Sequence, residues 1–397
     1  MYIDVLVGIM VFNEERNMFR RLQIVLNKFI DKSRFFLRVI FKMFFLKLKE
    51  FIPVKTLPYS LAISVTNRCN SKCKTCGIWK LKNKEELTIE ELQKILKSIG
   101  KNIPWFTITG GEPFLRKDLV GIIKTICDYN SPLVINIATN GTVDDMHRTL
   151  NKILTECDNN IKFVINFSID EIRRKYNYIR GIDAYDKAIS NYNKIKKLKK
   201  KYPNLSVDIN IIISSFNIDR FVFIYQFISK KLQPDSIIVE PATIRRALNN
   251  KKMKFEADTQ DIIRILKYLI NKGKGELKTK KKFNKVIKVF RLEYYRIILL
   301  TLLHKKRAIK CFAGTSFAEI LPSGDIITCG VRKEILANIK DYDYDFNKAF
   351  YSKEAVSVRK KIKDSCCFCT MANPIYSSMI LNNKTVLSLI KDLFYNK

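Results

Sequence analysis

Cys69, Cys73 and Cys76 stand within eight positions of one another, directly after the apolar run Leu61–Val65. On a single loop, thiolates at this spacing can all face one soft metal centre. A zinc knuckle usually needs four ligands. The two histidines, His147 and His304, are far off in sequence, as are the next clustered cysteines. Three protein ligands leave one corner of an iron–sulfur cube free, which is what a cluster needs if it is to bind and reduce something from outside. Spacing alone leaves a competing reading, in which these are packing cysteines or structural zinc ligands.

A second group comprises Cys311, Cys329, Cys366, Cys367 and Cys369. Cys311 and Cys329 fall in a C-x12-G-x4-C pattern around Gly324. Phe317–Leu321 and Ile326–Thr328 flank the turn sequence Pro322-Ser323-Gly324-Asp325, so the pattern predicts a hairpin with cysteines at its outer ends. Cys311, Cys329, Cys369 and one of Cys366 or Cys367 can complete a second metal site, and spacing leaves zinc and iron–sulfur both open. Cys127 and Cys157 stand apart and read as small apolar residues.

Such ligands need a scaffold, and from residue 59 the pattern is strand, then helix, repeated. Leu61–Val65, Phe106–Thr109, Val134–Ala138, Phe163–Ile169, Ser206–Ile213 and Ser236–Val239 read as strands apolar on both faces. Helical stretches separate them, the first opening on a capping box at Thr88 and Glu91. This predicts an α/β fold with a parallel sheet, whose active groups gather at the carboxyl ends of the strands. The distinctive polar motifs lie there: Gly110-Gly111-Glu112-Pro113 after the second strand, Asn140 after the third, Ser168 and Asp170 after the fourth, with Arg180 ten residues on. The two glycines free the backbone for close approach, and Glu112 offers an acceptor to a cationic group. Asn210 is a polar residue inside the fifth strand.

The chain has 397 residues, 10 cysteines and a formal charge of +35. The clustered, unevenly spaced cysteines fit metal ligation in a reducing compartment rather than a disulfide framework. The positive charge is spread along the chain, in keeping with a general lysine bias, and no separate nucleic-acid domain is legible. A nucleic-acid partner is not expected. Residues 1–58 read as a helical, amphipathic extension, in which Arg34, Arg38, Lys42 and Lys49 share one face of a phenylalanine-rich helix. That helix is as compatible with a membrane interface as with packing on the main domain. No run is long enough to cross a bilayer. The expected location is cytoplasmic, with peripheral contact at the inner face of the membrane as an option.

The Cys69-x3-Cys73-x2-Cys76 loop after a strand, followed by Thr109-Gly110-Gly111-Glu112-Pro113-Phe114, resembles the signature of the radical S-adenosylmethionine (radical SAM) superfamily. The C-x12-G-x4-C pattern resembles the auxiliary-cluster module of its SPASM and Twitch members, with fewer cysteines than the full SPASM version. The resemblance implies a partial (β/α)6 TIM-like barrel with a small C-terminal cysteine-rich hairpin-plus-helix module. Its divisions would be an extension to residue 58, a core at 59–245, a helical linker at 246–308, the module at 309–373 and a tail at 374–397.

It further implies a [4Fe-4S] cluster on Cys69, Cys73 and Cys76, SAM as cosubstrate and one auxiliary [4Fe-4S] cluster. Gly110, Gly111, Glu112, Pro113, Asn140, Ser168, Asp170, Arg180 and Asn210 would be the SAM contacts, with Arg180 meeting its carboxylate. The family's usual His-Asp pair before that arginine is here Tyr176-Asn177. An electron donor such as flavodoxin or ferredoxin is implied as a partner. A lipid or isoprenoid is the leading substrate class, suggested only by the basic aromatic helix. Alternatives are a peptide or protein, or a non-catalytic iron–sulfur protein that transfers electrons or only holds its metal.

Overall fold

The computed structural model describes residues 57–82, 85–277, 282–364, 367 and 369–394. The basic aromatic helix expected at 34–52 and Cys366 lie outside the described residues. The chain divides into two compact units, Met1–Thr56 and Leu57–Lys397, and the second holds the sheet and both cysteine groups.

Six parallel strands run β1 (Ser60–Ser64), β2 (Trp105–Thr109), β3 (Val134–Thr139), β4 (Lys162–Ser168), β5 (Leu205–Ile213) and β6 (Ile237–Pro241), paired in sequence order. The intervening helices are α1 (Ile89–Ile99), α2 (Leu119–Asn130), α3 (Met146–Glu156), α4 (Arg173–Arg180), α5 (Tyr185–Leu198) and α6 (Phe221–Phe227). This is the partial (β/α)6 barrel. The capping box forms as the sequence predicts: Thr88 accepts from the Glu91 N–H at 3.2 Å, and the Glu91 carboxylate accepts from the Thr88 N–H at 2.8 Å.

The expectation that both faces of the strands are apolar is not met. Phe106, Ile108, Ile135, Ile137, Phe163, Ile165, Phe167, Ile209 and Ile211 are fully buried in the core formed with the helices. The alternate positions carry Thr107, Asn136, Asn166, Ser168, Asp208 and Asn210, so the other face is polar. Only the helix-facing side needs a hydrophobic partner. The concave side is an interior lined by groups that can bind.

Two long helices, α7 (Thr259–Leu277) and α8 (Lys282–His304), follow. The β6 edge meets α8, where Tyr295 accepts a hydrogen bond from the Val239 N–H at 3.2 Å. Next come β7 (Phe317–Ile320), β8 (Asp325–Ile327) and β9 (Ile335–Asn338). The predicted hairpin is β7–β8, and it continues the barrel sheet: β7 pairs parallel with β1, giving the order β6-β5-β4-β3-β2-β1-β7-β8-β9. Pairing β7 satisfies the β1 edge that a partial barrel leaves bare. Ser64 at the end of β1 donates to Glu319 of β7 at 2.7 Å.

The remaining helices are α9 (Phe346–Phe350), α10 (Lys353–Asp364), α11 (Ala372–Met379) and α12 (Asn383–Phe394). What reads in sequence as a tail is therefore helical. α12 is tied to α8 by Arg296–Asp392 at 2.6 Å and by Ser388 donating to Glu293 at 2.9 Å. Among the described residues, no helix is long and apolar enough to cross a membrane.

Candidate active site

The loop after β1 carries Cys69, Cys73 and Cys76, and it is held from several sides. The N–H groups of Lys72 and Lys74 donate to the carbonyls of Arg180 and Ile179 at the end of α4, both at 2.9 Å. The Gly77 N–H donates to Leu248 O at 2.8 Å, and Asn250 Nδ2 donates to Thr75 O at 2.9 Å. These bonds fix a segment with little secondary structure of its own, so the thiols project from a determined backbone.

Cys73 is buried, and Cys69 and Cys76 are partly exposed. Burial pushes the Cys69 thiol up to about 12, and the neighbouring Cys73 and Cys76 add to the rise. Burial likewise pushes Cys76 up to about 11, with Cys73 contributing. Thiols crowded so that each resists the next one's ionisation ligate only when a cationic centre supplies the missing charge. All donors are sulfur, which suits iron–sulfur chemistry. Among the described residues no three His, Cys, Asp or Glu side chains gather closely enough to share one metal ion.

The Gly110-Gly111-Glu112 segment packs directly on this loop. Gly111 N–H donates to Thr66 O at 2.7 Å and Glu112 N–H to Arg68 O at 2.8 Å. Gly110 has φ +133°, and a Cβ there would lie 2.3 Å from Thr66 O; at Gly111 it would lie 2.0 Å from Arg68 O. The glycines thus let one strand-end loop lie against the other.

The Glu112 carboxylate is fully buried and accepts from Thr139 Oγ1 at 2.8 Å, the Asn140 N–H at 2.7 Å and the Phe114 N–H at 3.2 Å. Burial still pushes it up to about 7 against the pull of those donors. The Glu112 carboxylate thereby staples the end of β2 to that of β3. Pro113 opens the short turn Pro113–Leu115 that comes next.

Asn140 reaches the cysteine loop, its Nδ2 donating to Asn70 Oδ1 at 2.8 Å and lying 3.9 Å from Cys69 Sγ. Arg180 and Asp170 form an ion pair, Nη2 to Oδ2 at 2.7 Å, while Arg180 Nη1 donates to Cys73 Sγ at 3.7 Å. Arg180 Nε is buried with no partner among the described residues. Asp170 also accepts from the Ile212 N–H at 2.8 Å. Ser168 and Asn210 are register partners on β4 and β5, and Asn210 Oδ1 is buried without a partner among the described residues. The sequence-predicted residues therefore converge at one end of the sheet.

Sequence reasoning misses three supports. Arg116 donates to Val65 O at 2.7 Å and Leu87 O at 2.6 Å, and pairs with Asp118 at 2.8 Å. A charged residue so soon after the buried Phe114 is the available signal. Asn217 Nδ2 donates to Asp170 O and Ile212 O, both at 2.9 Å. Tyr176 Oη donates to Asn140 O at 3.3 Å.

The second cysteine group assembles around β7 and β8. Cys329 is buried among Ala313, Phe317 and Met371, with Cys311 and Cys369 packed against it. Burial pushes Cys369 up to about 12, and Cys329, Cys311 and Cys367 each raise it further. Arg307 Nη2 donates to Cys367 Sγ at 3.2 Å. Cys311, Cys367 and Cys369 line a cavity with Arg307, Ile375 and Ser378. Four thiols within electrostatic reach of one another suit a second metal group. Cys127 on α2 and Cys157 at the end of α3 are both buried in the main hydrophobic core, as their reading as small apolar residues expects.

The radical SAM superfamily profile matches residues 63–228. A probable GTP 3',8-cyclase of Pyrococcus abyssi is 33% identical over 157 residues, 39% of this chain and 47% of that protein. A GTP 3',8-cyclase of Campylobacter jejuni subsp. doylei is 33% identical over 181 residues, 44% of this chain and 53% of that one. The chain thus spans about half the length of these curated relatives. Among solved structures, Streptococcus suis SuiB bound to S-adenosylmethionine superposes with TM-score 0.58 at 16% identity, over 85% of this chain and 77% of SuiB. The anSMEcpe structure with bound AdoMet and Cp18Cys peptide gives TM-score 0.56 at 19% identity, over 86% and 96%. At these identities the structural likeness concerns the fold. Through the domain at residues 63–228, the chain is similar to the radical SAM superfamily.

Proposed function

We propose that the protein is a radical SAM enzyme that modifies a peptide or protein. Cys69, Cys73 and Cys76 hold a [4Fe-4S] cluster, and Gly110, Gly111, Glu112, Pro113, Asn140, Ser168, Asp170, Arg180 and Asn210 form the SAM site. The observation that carries this reading is the packing of the Gly110–Gly111 backbone on the cysteine loop, with Arg180 reaching Cys73 from the other side. When bound, the cluster supplies the electron that splits the carbon–sulfur bond of SAM, giving methionine and a 5'-deoxyadenosyl radical that takes a hydrogen atom from substrate. The chain's part is to orient and to exclude water. Glu112 fixes the β2 and β3 ends, Asn140 and Arg180 donate toward the thiols, and the unpartnered Arg180 Nε and Asn210 Oδ1 are free for a ligand. Cys311, Cys329, Cys367 and Cys369 hold an auxiliary cluster of the SPASM or Twitch type. A low-potential donor such as flavodoxin or ferredoxin provides the electron.

The peptide reading displaces the lipid one, which rested on a helix outside the described residues. Support comes from two solved structures of similar fold that carry peptides: anSMEcpe, and SuiB with its precursor peptide SuiA at TM-score 0.57. The polar interior agrees. Asn166 Oδ1 and the Nε and Nη1 of Arg291 are buried without partners among the described residues. Unsatisfied donors and acceptors suit the amides of a peptide, whereas an isoprenoid would leave them orphaned. A nucleotide substrate is the second reading, favoured by the curated relatives.

The test is anaerobic reconstitution followed by incubation with SAM and dithionite. 5'-Deoxyadenosine should form and should vanish in Cys73→Ala. Iron uptake without SAM binding would instead indicate an electron-transfer or structural protein. Adding a randomised peptide pool or GTP separates the two substrate classes by which one acquires mass-shifted product.

A further inference from the structure

The proposed cleavage of SAM takes one electron from outside the chain, and electron transfer weakens steeply with distance. The donor must therefore seat where the cysteine loop comes to the surface. Lys72, exposed, and Lys74 are bonded through their backbone to the end of α4. The Lys74 ammonium sits 4.2 Å from the centroid of the Tyr178 ring. Tyr178 is 58% exposed and meets Phe216 edge-on at 6.0 Å. The neighbouring Ser215 donates to Phe255 O at 2.9 Å and lines a surface hollow with Lys251, Lys252 and Lys254. Glu256 is the acidic residue in that lining. Asn250, just before these lysines, holds Thr75 of the cysteine loop. The result is one continuous patch: an exposed aromatic anchor, a rim of lysines, and the thiol-bearing loop directly beneath. Aromatic anchors ringed by charge are typical of transient interfaces, in which the charges steer the encounter.

We propose that this patch docks an acidic electron-transfer protein, which passes its electron to a cluster on Cys69, Cys73 and Cys76; the inference rests on the radical SAM reading. One electron leaves the donor's reduced flavin or iron–sulfur centre and enters the cluster, and no bond forms or breaks. The complementary sign of charge argues for this occupant: lysines around Tyr178 attract an acidic face and repel the basic surfaces this chain itself presents.

The test uses the reconstituted full chain and photoreduced flavodoxin as the probe, following bleaching of cluster absorbance by stopped flow. At low salt, Lys252→Glu with Lys254→Glu, and separately Tyr178→Ser, should slow reduction about tenfold or more, and salt should narrow the difference from wild type. Dithionite, which needs no docking site, should reduce every variant as it does wild type, and this also shows that each variant is folded and loaded. Lys197→Glu with Lys200→Glu, at the far end of α5, should behave as wild type. Equal flavodoxin rates in wild type and patch variants, or an equal loss in the α5 variant, would overturn the docking proposal. A wild-type cluster that dithionite cannot reduce would bring down the radical SAM reading itself, and this proposal with it.

Discussion

Arg180 and Asp170 pair at 2.7 Å while both side chains are more than nine-tenths buried, and the same guanidinium donates to Cys73. A buried pair is worth little relative to apolar replacements, but removing one member strands the other. Asp170→Asn should lower the unfolding free energy of the apoprotein by about 3 kcal/mol. Arg180→Lys should keep charge but lose the two-way reach, reducing iron bound per chain. Chemical denaturation and iron assay test the two effects separately.

Glu112 ties pH to stability. Its folded value of about 7 is raised above the ordinary 4.5 by burial, so the native state holds its proton more tightly than the unfolded chain. The associated stability is fully present below about 4.5 and is lost as pH rises to about 7. Its span is on the order of 3 kcal/mol. Urea titrations of the apoprotein across this window should show a declining unfolding free energy. Glu112→Gln should flatten that decline, and an unchanged slope would assign it to other groups.

The glycines make a geometric prediction. A methyl at Gly111 would stand 2.0 Å from Arg68 O, so Gly111→Ala must push the two loops apart. We expect a loss of about 1–3 kcal/mol and a cluster content well below wild type. Ala at Gly121, where the obstacle is only the tip of Ile89 at 2.6 Å, should be milder. Iron and sulfide per chain, read beside melting curves, distinguish these outcomes.

The second thiol group should load independently. Cys369→Ala should drop reconstituted iron from about eight to about four per chain, leaving 5'-deoxyadenosine formation by the first cluster in place. One zinc per chain with unchanged iron would identify that group as a zinc site.

Much of this arrangement is legible in the residues themselves. The capping box at Thr88 and Glu91, the apolar strands and the cysteine spacing are local signals, and they set the elements and the candidate ligands. The polar alternation Asn166, Ser168, Asp208, Asn210 is present but hidden inside apolar runs, because a strand's two faces can be told apart only once the sheet has a concave side. α4 escapes a sequence reading because Arg173–Arg180 is too polar to show a core-facing stripe strongly. The partners of Glu112 depend on neighbours from another strand, which no window of sequence contains.

The bond between Ser64 and Glu319 spans 255 positions, and it sits where β1 acquires its second neighbour. During synthesis β1 and the thiol loop precede β7, so one side of that strand stays unpaired until β2 to β6 and the long helices have been made. The scaffold beneath the thiol loop is therefore sealed only once β7 has been made. Metal delivery then belongs to a chain that has passed this point, and a truncated product ending before β7 would expose reactive thiols on an unsealed sheet edge.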